Sequence, residues 1–396
     1  MCIFLAAHIT DCKLAEQDLS VPDLIKYWKY PVEEHEVKTS DGYYLSLHRI
    51  PHGISNQISQ PNISRNCSKS SKRPVVFLQH GLLCSSSNWV ENRPDNSLGF
   101  LLADAGYDVW MGNVRGNTYS SSKHESLSVD SEDYWDFSFH EMAKFDLPAM
   151  INYTLEITGE KQLYYVGHSQ GSMMIFAGLP GNEELQRKIK KVVALAPVSR
   201  LKHIHSAIRN IAKLRHIIGF SFHFLQQRSF LPSSRVVKTL AREICGRKEK
   251  QLCEMILSAA NGYGTKNLNT TRLPIYFSHA PAGTSVKNMK HFGQLISSGG
   301  FNAYDYGWFG NLASFASFLP PSYRLSTIQT PMHFIYGSHD WLAHHLDVKW
   351  TASQIVNLEG LYEVEGYNHL DFLWATSAKR LVYSRVIDIF NKNENC

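Results

Sequence analysis

Charge is scarce in this sequence. Charged residues are 19% of its 396 residues, below the roughly 25% usual for soluble proteins. Cations outnumber anions by only 40 to 35, spread without a basic block, which excludes a nucleic-acid reader built on phosphate contacts. No apolar run approaches the roughly 18 residues that a membrane-spanning helix needs. Neither Cys-x-x-Cys nor His-Glu-x-x-His occurs, so no dithiol redox motif and no zinc-peptidase helix is signalled; no metal and no organic cofactor is expected. No internal repeat is visible. The cysteines (Cys2, Cys12, Cys67, Cys84, Cys245, Cys253, Cys396) number seven, so at least one is unpaired or pairs between chains. What is present is core-forming material: 43% hydrophobic and 12% aromatic residues, too much for a disordered or fibrous protein. The 19 histidines would make the surface far more cationic in a mildly acidic compartment.

The first residues, Met1 to Ala7, are apolar and end in small side chains, without the basic start of a secretory signal. Residues 1–17 are therefore either the remnant of a leader or the free end of a domain. Four Asn-x-Ser/Thr sequons, at Asn62, Asn66, Asn152 and Asn269, lean towards the secretory pathway. Residues 18–29 predict a short helix opened by Ser20 and Asp23. Residues 34–50 predict a β-hairpin turning at Asp41-Gly42. Asn56 to Arg73 is a polar surface loop.

Beyond it the pattern changes to short apolar runs, each the mark of a strand buried on both faces: Val75–Leu78, Tyr107–Met111, Leu163–Val166, Val192–Leu195 and Met332–Tyr336. Helical stretches such as Ser138–Leu155 and Gly171–Gly178 lie between them. Alternation of this kind gives an α/β fold, a mostly parallel sheet with helices on both faces. It breaks between about 200 and 323 and resumes at Thr330-Pro331, which fits an inserted, mainly helical cap. The expected organisation is thus a core in two parts, 18–199 and 324–396, around a cap at 200–323.

Gly167-His168-Ser169-Gln170-Gly171 sits where one of these strands meets a helix. A sharp strand-to-helix turn forces such a serine into a strained backbone and exposes its hydroxyl above the sheet. Side chains in place of Gly167 and Gly171 would collide across the turn. A hydroxyl is a poor nucleophile until a base takes its proton, usually a histidine held by a carboxylate, and this elbow places them later in the chain in the order acid, then histidine. Gly337-Ser338-His339-Asp340 ends one predicted strand and Gly366-Tyr367-Asn368-His369 follows the last, Leu361–Val364. Asp340 is assigned as orienter and His369 as base. Asp347 and Asp371 are the rival carboxylates, Asp340 could instead cap a helix, and His168 points away from the serine if the elbow forms. The oxyanion formed in acyl transfer needs backbone donors. The N–H groups of Gln170 and of Leu82, in the loop Gln79-His80-Gly81-Leu82-Leu83 after the first buried strand, are the candidates.

These residues resemble the acid lipases, the gastric and lysosomal group within the α/β-hydrolase fold. The matching stretches include Tyr27-Trp28-Lys29-Tyr30-Pro31, Leu78 to Leu83, Leu98 to Trp110, Arg115-Gly116-Asn117-Thr118, Glu141 to Ala149, Gly167 to Gly171, Ser278 to Ser285 and Tyr367 to Phe372. The resemblance spans about 20 to 390. It implies Ser169, Asp340 and His369 as a triad, Leu82 and Gln170 as oxyanion donors, a cap with a movable lid, and neutral-lipid esters as substrates: triacylglycerols and, in some members, sterol esters. It also implies a cap disulfide at Cys245 and Cys253, and a secreted or lysosomal location. The chain departs from the pattern where the family has Ala-Asp-Pro and this sequence has Ala343-His344-His345. It departs again where Gly-Ser-Pro becomes Gly307-Trp308-Phe309 and where the family's free cysteine is Asn261. These changes bear on substrate range more than on hydrolysis.

The residues of the cap carry two readings. His203 to Leu225 mixes Ile, Leu and Phe with basic residues, as a lid that turns outward at a lipid–water interface would, or as a helix packed on the core would. Arg209, Lys213, Arg215 and His216 either meet anionic headgroups or form a solvated face. Two other functions stay open on the same fold: a carboxylesterase or acyltransferase for smaller esters, and a catalytically silent binding member.

Overall fold

The computed structural model describes residues 15–54, 72–205, 228–231, 262 and 267–392. The runs expected at 203–225 and 236–259, Cys245 and Cys253, Asn62 and Asn66, Asn261, and all but the end of the 1–17 segment lie wholly or mostly outside them.

Eight strands form one sheet: β1 (Glu33–Lys38), β2 (Tyr44–Ile50), β3 (Val75–Gln79), β4 (Asp108–Gly112), β5 (Leu163–His168), β6 (Ile189–Leu195), β7 (Met332–Gly337) and β8 (Leu358–Val364). Their spatial order is β1-β2-β4-β3-β5-β6-β7-β8. β1 pairs antiparallel with β2 and β2 with β4, and every pairing from β4 to β8 is parallel. The apolar runs read from the sequence are the strands of the parallel part. β3, β4 and β5 are buried along their whole length, as strands covered on both faces must be. β8 is the edge of the parallel part, and its side chains alternate between half-buried and exposed up to the buried Val364.

The helices used below are α1 (Val21–Tyr27), α2 (Leu98–Asp104), α3 (Leu147–Thr158), α4 (Gln170–Gly178), α5 (Val286–Ser298), α6 (Gly307–Phe315), α7 (His345–Gln354) and α8 (Ser384–Asn391). α1 starts as its sequence predicts. Ser20 Oγ accepts the Asp23 N–H at 3.3 Å and Pro22 occupies the first turn, where a missing N–H costs nothing. The predicted hairpin is β1–β2, with Gly42 at φ 96° in its turn.

One prediction differs in detail. The stretch expected as a single helix from Ser138 to Leu155 has three parts: a turn at Phe139–Glu141 with a full capping box on Ser138, a π-helical segment at Met142–Asp146, then α3. The extra residue in the π turn accompanies a buried demand. Asp146 is fully buried and accepts from Arg115 N at 3.0 Å and Arg115 Nε at 2.7 Å. Such a bulge re-aims a side chain without ending the helix.

Between β6 and β7 the described chain leaves the sheet. It contributes a helix at Leu273–His279, α5, α6 and a short antiparallel pair, Ser229–Phe230 with Thr284–Ser285. Ser278 to Ser285, which carries no acid–base set in the sequence, is a packed turn only over 280–283; Ser278 and His279 end the helix before it, and Thr284–Ser285 form the short strand before α5. Ser285 Oγ accepts the Asn288 N–H at 2.9 Å and so caps α5.

Candidate active site

The elbow forms where the sequence places it. Ser169 sits between β5 and α4 with φ 53° and ψ −116°, a backbone state that a side-chain-bearing residue adopts only when its surroundings impose it. They do. A Cβ on Gly171 would lie 2.3 Å from Gln79 O, and one on Gly167 would lie 2.7 Å from the Gly171 carbonyl carbon. The Ser169 N–H donates to Leu195 O at 3.1 Å, and Ser172 Oγ donates to Ser169 O at 2.6 Å. The nucleophile candidate therefore stands at the ends of β5 and β6, over the start of α4.

Asp340 and His369 come from the loops after β7 and β8. These loops are pressed together: a Cβ on Gly337 would lie 2.2 Å from Tyr367 O, His339 N–H donates to Tyr367 O at 3.0 Å, and Gly366 N–H donates to Ser338 Oγ at 2.8 Å. His369 Nε2 is 2.8 Å from Ser169 Oγ, and His369 Nδ1 is 2.8 Å from Asp340 Oδ2. A carboxylate only accepts, so Nδ1 carries the imidazole proton and Nε2 is left to accept the serine O–H. The helix-cap reading of Asp340 does not hold, because α7 begins at His345 with His344 as its N-cap; Asp340 instead closes a turn. Its other oxygen, Oδ1, accepts from Leu342 N and Ala343 N, each at 2.8 Å, which fixes the carboxylate plane.

The rival carboxylates are occupied elsewhere. Asp347 accepts from Arg200 Nε at 2.8 Å and from the His203 backbone N–H, and its Oδ1 is 2.8 Å from His203 Nδ1. Asp371 Oδ2 accepts the Asn368 N–H at 2.8 Å, while Asn368 Oδ1 accepts from Leu370 and Asp371; this reciprocal pair shapes the loop that carries His369. Burial, with Asp340 nearby, pushes the Asp371 carboxyl up to about 6.

The loop after β3 reaches the nucleophile. A Cβ on Gly81 would lie 3.1 Å from Ser169 Cβ, so Leu82 follows directly beside the serine. Gln170 opens α4, and its first backbone N–H groups have no intrahelical acceptor. Backbone N–H groups in these places are the candidates to hold a tetrahedral oxyanion during acyl transfer. His80 is fixed behind this loop. Its Nδ1 is 2.8 Å from Gly81 O, and its Nε2 accepts the Val114 N–H at 3.3 Å.

Two contacts were not legible in the sequence. His168 does point away from Ser169, yet it is part of the site: its Nε2 donates to the backbone carbonyl of His369 at 3.1 Å. Burial pushes His168 down to about 3, so it stays neutral and this anchor on the base does not titrate. Asn288, fully buried at the start of α5, donates from Nδ2 to Gln170 Oε1 at 2.8 Å and accepts the Phe139 N–H at 2.8 Å. No local pattern marks either contact, because each joins residues over a hundred positions apart.

A buried carboxyl braces the histidine loop from below. Glu91 accepts from Trp374 Nε1, and Asn92 Nδ2 donates to Leu373 O at 2.6 Å. Tyr276 stacks on Trp374 with ring centres 4.5 Å apart. Arg272 donates to Glu91 O at 2.7 Å and pairs with Glu16 at 3.0 Å. Burial pushes Glu91 from 4.5 up to about 7, against the pull of Trp374, Asn88 and Arg272. The folded protein thus holds this proton more tightly than the unfolded chain does. The stabilisation is full below about pH 4.5 and is lost as pH rises through about 7, a difference on the order of 3 kcal/mol. Glu91→Gln keeps an acceptor for Trp374 and removes the titration. Wild type should lose melting temperature relative to this variant between about pH 4.5 and pH 7.5; parallel melting curves across that range would mean that Glu91 does not titrate there.

Models of two families match the chain: a partial alpha/beta-hydrolase lipase region over residues 21–93 and the alpha/beta hydrolase fold over residues 74–376. Gastric triacylglycerol lipase of Bos taurus is 42% identical over 384 residues, covering 96% of this chain and 94% of that protein. The human protein named lysosomal acid lipase/cholesteryl ester hydrolase is 42% identical over 380 residues, covering 95% and 92%. Among solved structures, a lipase-like protein from Sulfolobus solfataricus covers 91% of this chain and 93% of its own at 11% identity with a TM-score of 0.57, a likeness of fold alone.

Proposed function

The chain belongs to the acid lipases of the α/β-hydrolase fold, and from that premise we propose that it is a serine lipase that hydrolyses the carboxylic esters of neutral lipids, triacylglycerols and cholesteryl esters, in a secreted or lysosomal setting. The observation that carries the reading is the continuous line Asp340–His369–Ser169, two contacts of 2.8 Å each.

Ser169 Oγ attacks the ester carbonyl as His369 Nε2 takes its proton, and Asp340 holds the imidazolium through Nδ1. The backbone N–H groups of Leu82 and Gln170 receive the oxyanion. The alcohol leaves with the proton from His369, and water repeats the cycle on the acyl-enzyme. Every proton moves between groups of this chain, the substrate and water.

Residues 200–323 act as the cap. In support, Thr118 Oγ1 donates to Ala282 O at 3.2 Å, the Ala282 N–H donates to Leu83 O at 2.7 Å beside the oxyanion loop, and Asn288 reaches Gln170. Of the sequons, Asn152 is exposed on α3, with Lys188 Nζ 2.8 Å from its Oδ1, and Asn269 is half-buried; they are the described candidates for glycosylation. No helix among the described residues is long and apolar enough to cross a membrane.

The experiment is turnover of emulsified triolein and cholesteryl oleate beside a soluble short-chain ester. The rate should rise once the ester exceeds its solubility and forms an interface. Activity confined to dissolved short esters would replace this reading with that of a carboxylesterase.

A further inference from the structure

The described surface carries a group of large apolar side chains that the acyl chemistry does not use. On α6 and the turn after it, Trp308, Phe309, Leu312, Phe318 and Leu319 are 72%, 86%, 45%, 57% and 69% exposed. Single exposed apolar residues need no explanation, but a contiguous set does. The set is held rigidly. Asn311, buried beneath it, donates from Nδ2 to Asp305 Oδ1 at 2.8 Å and to Phe318 O at 3.0 Å, and its Oδ1 accepts the Tyr306 N–H at 2.9 Å. The rings of Trp308 and Phe318 meet edge to face. From Tyr306 to Tyr323 the sequence has no charged residue.

We propose that this prow is a docking surface for an uncharged lipid–water interface. The proposal rests on the lipase reading above and names the surface by which the enzyme meets its substrate phase. Two observations choose a lipid surface as the occupant. A protein partner is oriented by a charged rim that fixes register, and Tyr306 to Tyr323 has no charge to supply one, whereas a lipid surface takes up exposed tryptophan and phenylalanine without register. The prow is also tied to the site through α5. Lys287 on α5 donates to the Tyr306 hydroxyl at 3.1 Å, and its neighbour Asn288 holds Gln170 beside Ser169. The two most exposed rings, moreover, stand where the family resemblance has small Ser-Pro and this chain has Trp308-Phe309, so the device is this chain's own.

The test is co-flotation of the full chain, carrying Ser169→Ala to prevent turnover, with triolein droplets coated in phosphatidylcholine. Trp308→Ser/Phe309→Ser in that background should bind about tenfold more weakly or worse. Parental binding should be insensitive to salt between about 0.05 and 0.5 M, as no ion pair is involved. In the Ser169 enzyme the same pair should slow emulsified triolein while a dissolved short-chain ester turns over at the parental rate, which also shows that the variant folds. Equal flotation of parent and variant overturns the proposal. So does a parental dimer that the pair of substitutions splits, since the prow would then be a contact between copies. If the parent hydrolyses no ester at all, the lipase reading fails, and the flotation comparison still decides the surface by itself.

Discussion

Ser169→Ala is expected to lower kcat on any ester by about 10⁵- to 10⁶-fold, the largest single effect the structure supports. The substitution removes only Oγ. The elbow that imposes φ 53° remains, since its causes lie in Gly167, Gly171 and the Leu195 carbonyl. The proposed oxyanion donors are backbone atoms and remain too, so a residual acceleration of about 10³-fold over water should persist. Labelling by an organophosphate should vanish with the hydroxyl. Activity above about 1% of wild type, in protein of unchanged melting temperature, would remove Ser169 from the chemistry.

Asp340→Asn should cost about 10⁴-fold in kcat with little change in KM, for a reason visible in its hydrogen bonds. Oδ1 accepts two backbone N–H groups, from Leu342 and Ala343. The asparagine must keep its oxygen there, because an amide NH₂ facing two donors would leave all of them unpaired. Its NH₂ then faces His369 Nδ1 and turns that atom into an acceptor. The imidazole proton moves to Nε2, the atom that has to receive the serine proton. The expected signature is an otherwise folded protein whose remaining activity grows with pH, as hydroxide takes over from the missing base. An Asn variant with more than about a tenth of the wild-type kcat would point to another orienter, and Asp371, two positions past His369, would be the first to examine.

How much of this was written in the sequence depends on distance along the chain. The parallel strands were legible because a strand covered on both faces must be apolar throughout, and Val75–Leu78 or Leu163–Val166 permits little else. The elbow was legible because two close approaches, at Gly167 and Gly171, leave only glycine. Asp340 and His369 were legible by order and by position after strands. The π-helical turn at Met142–Asp146 was not, because it answers to Arg115, a residue on another loop. Neither were His168 on the His369 carbonyl, Asn288 on Gln170, or the Glu91–Trp374–Arg272 group. Each is a buried polar contact whose partner no local period announces, and each supports a residue that was legible. The prow on α6 was visible only as a departure, Gly307-Trp308-Phe309; its exposure needed the fold.

The contact between Ser169 and His369 joins positions 200 apart in sequence, and the histidine follows the edge strand β8. During translation the strained elbow and its oxyanion loop can therefore assemble long before their proton acceptor has left the ribosome. On the proposed mechanism the nascent polypeptide would stay chemically inert towards esters until β8 has docked, so the order of synthesis itself would act as a safety catch.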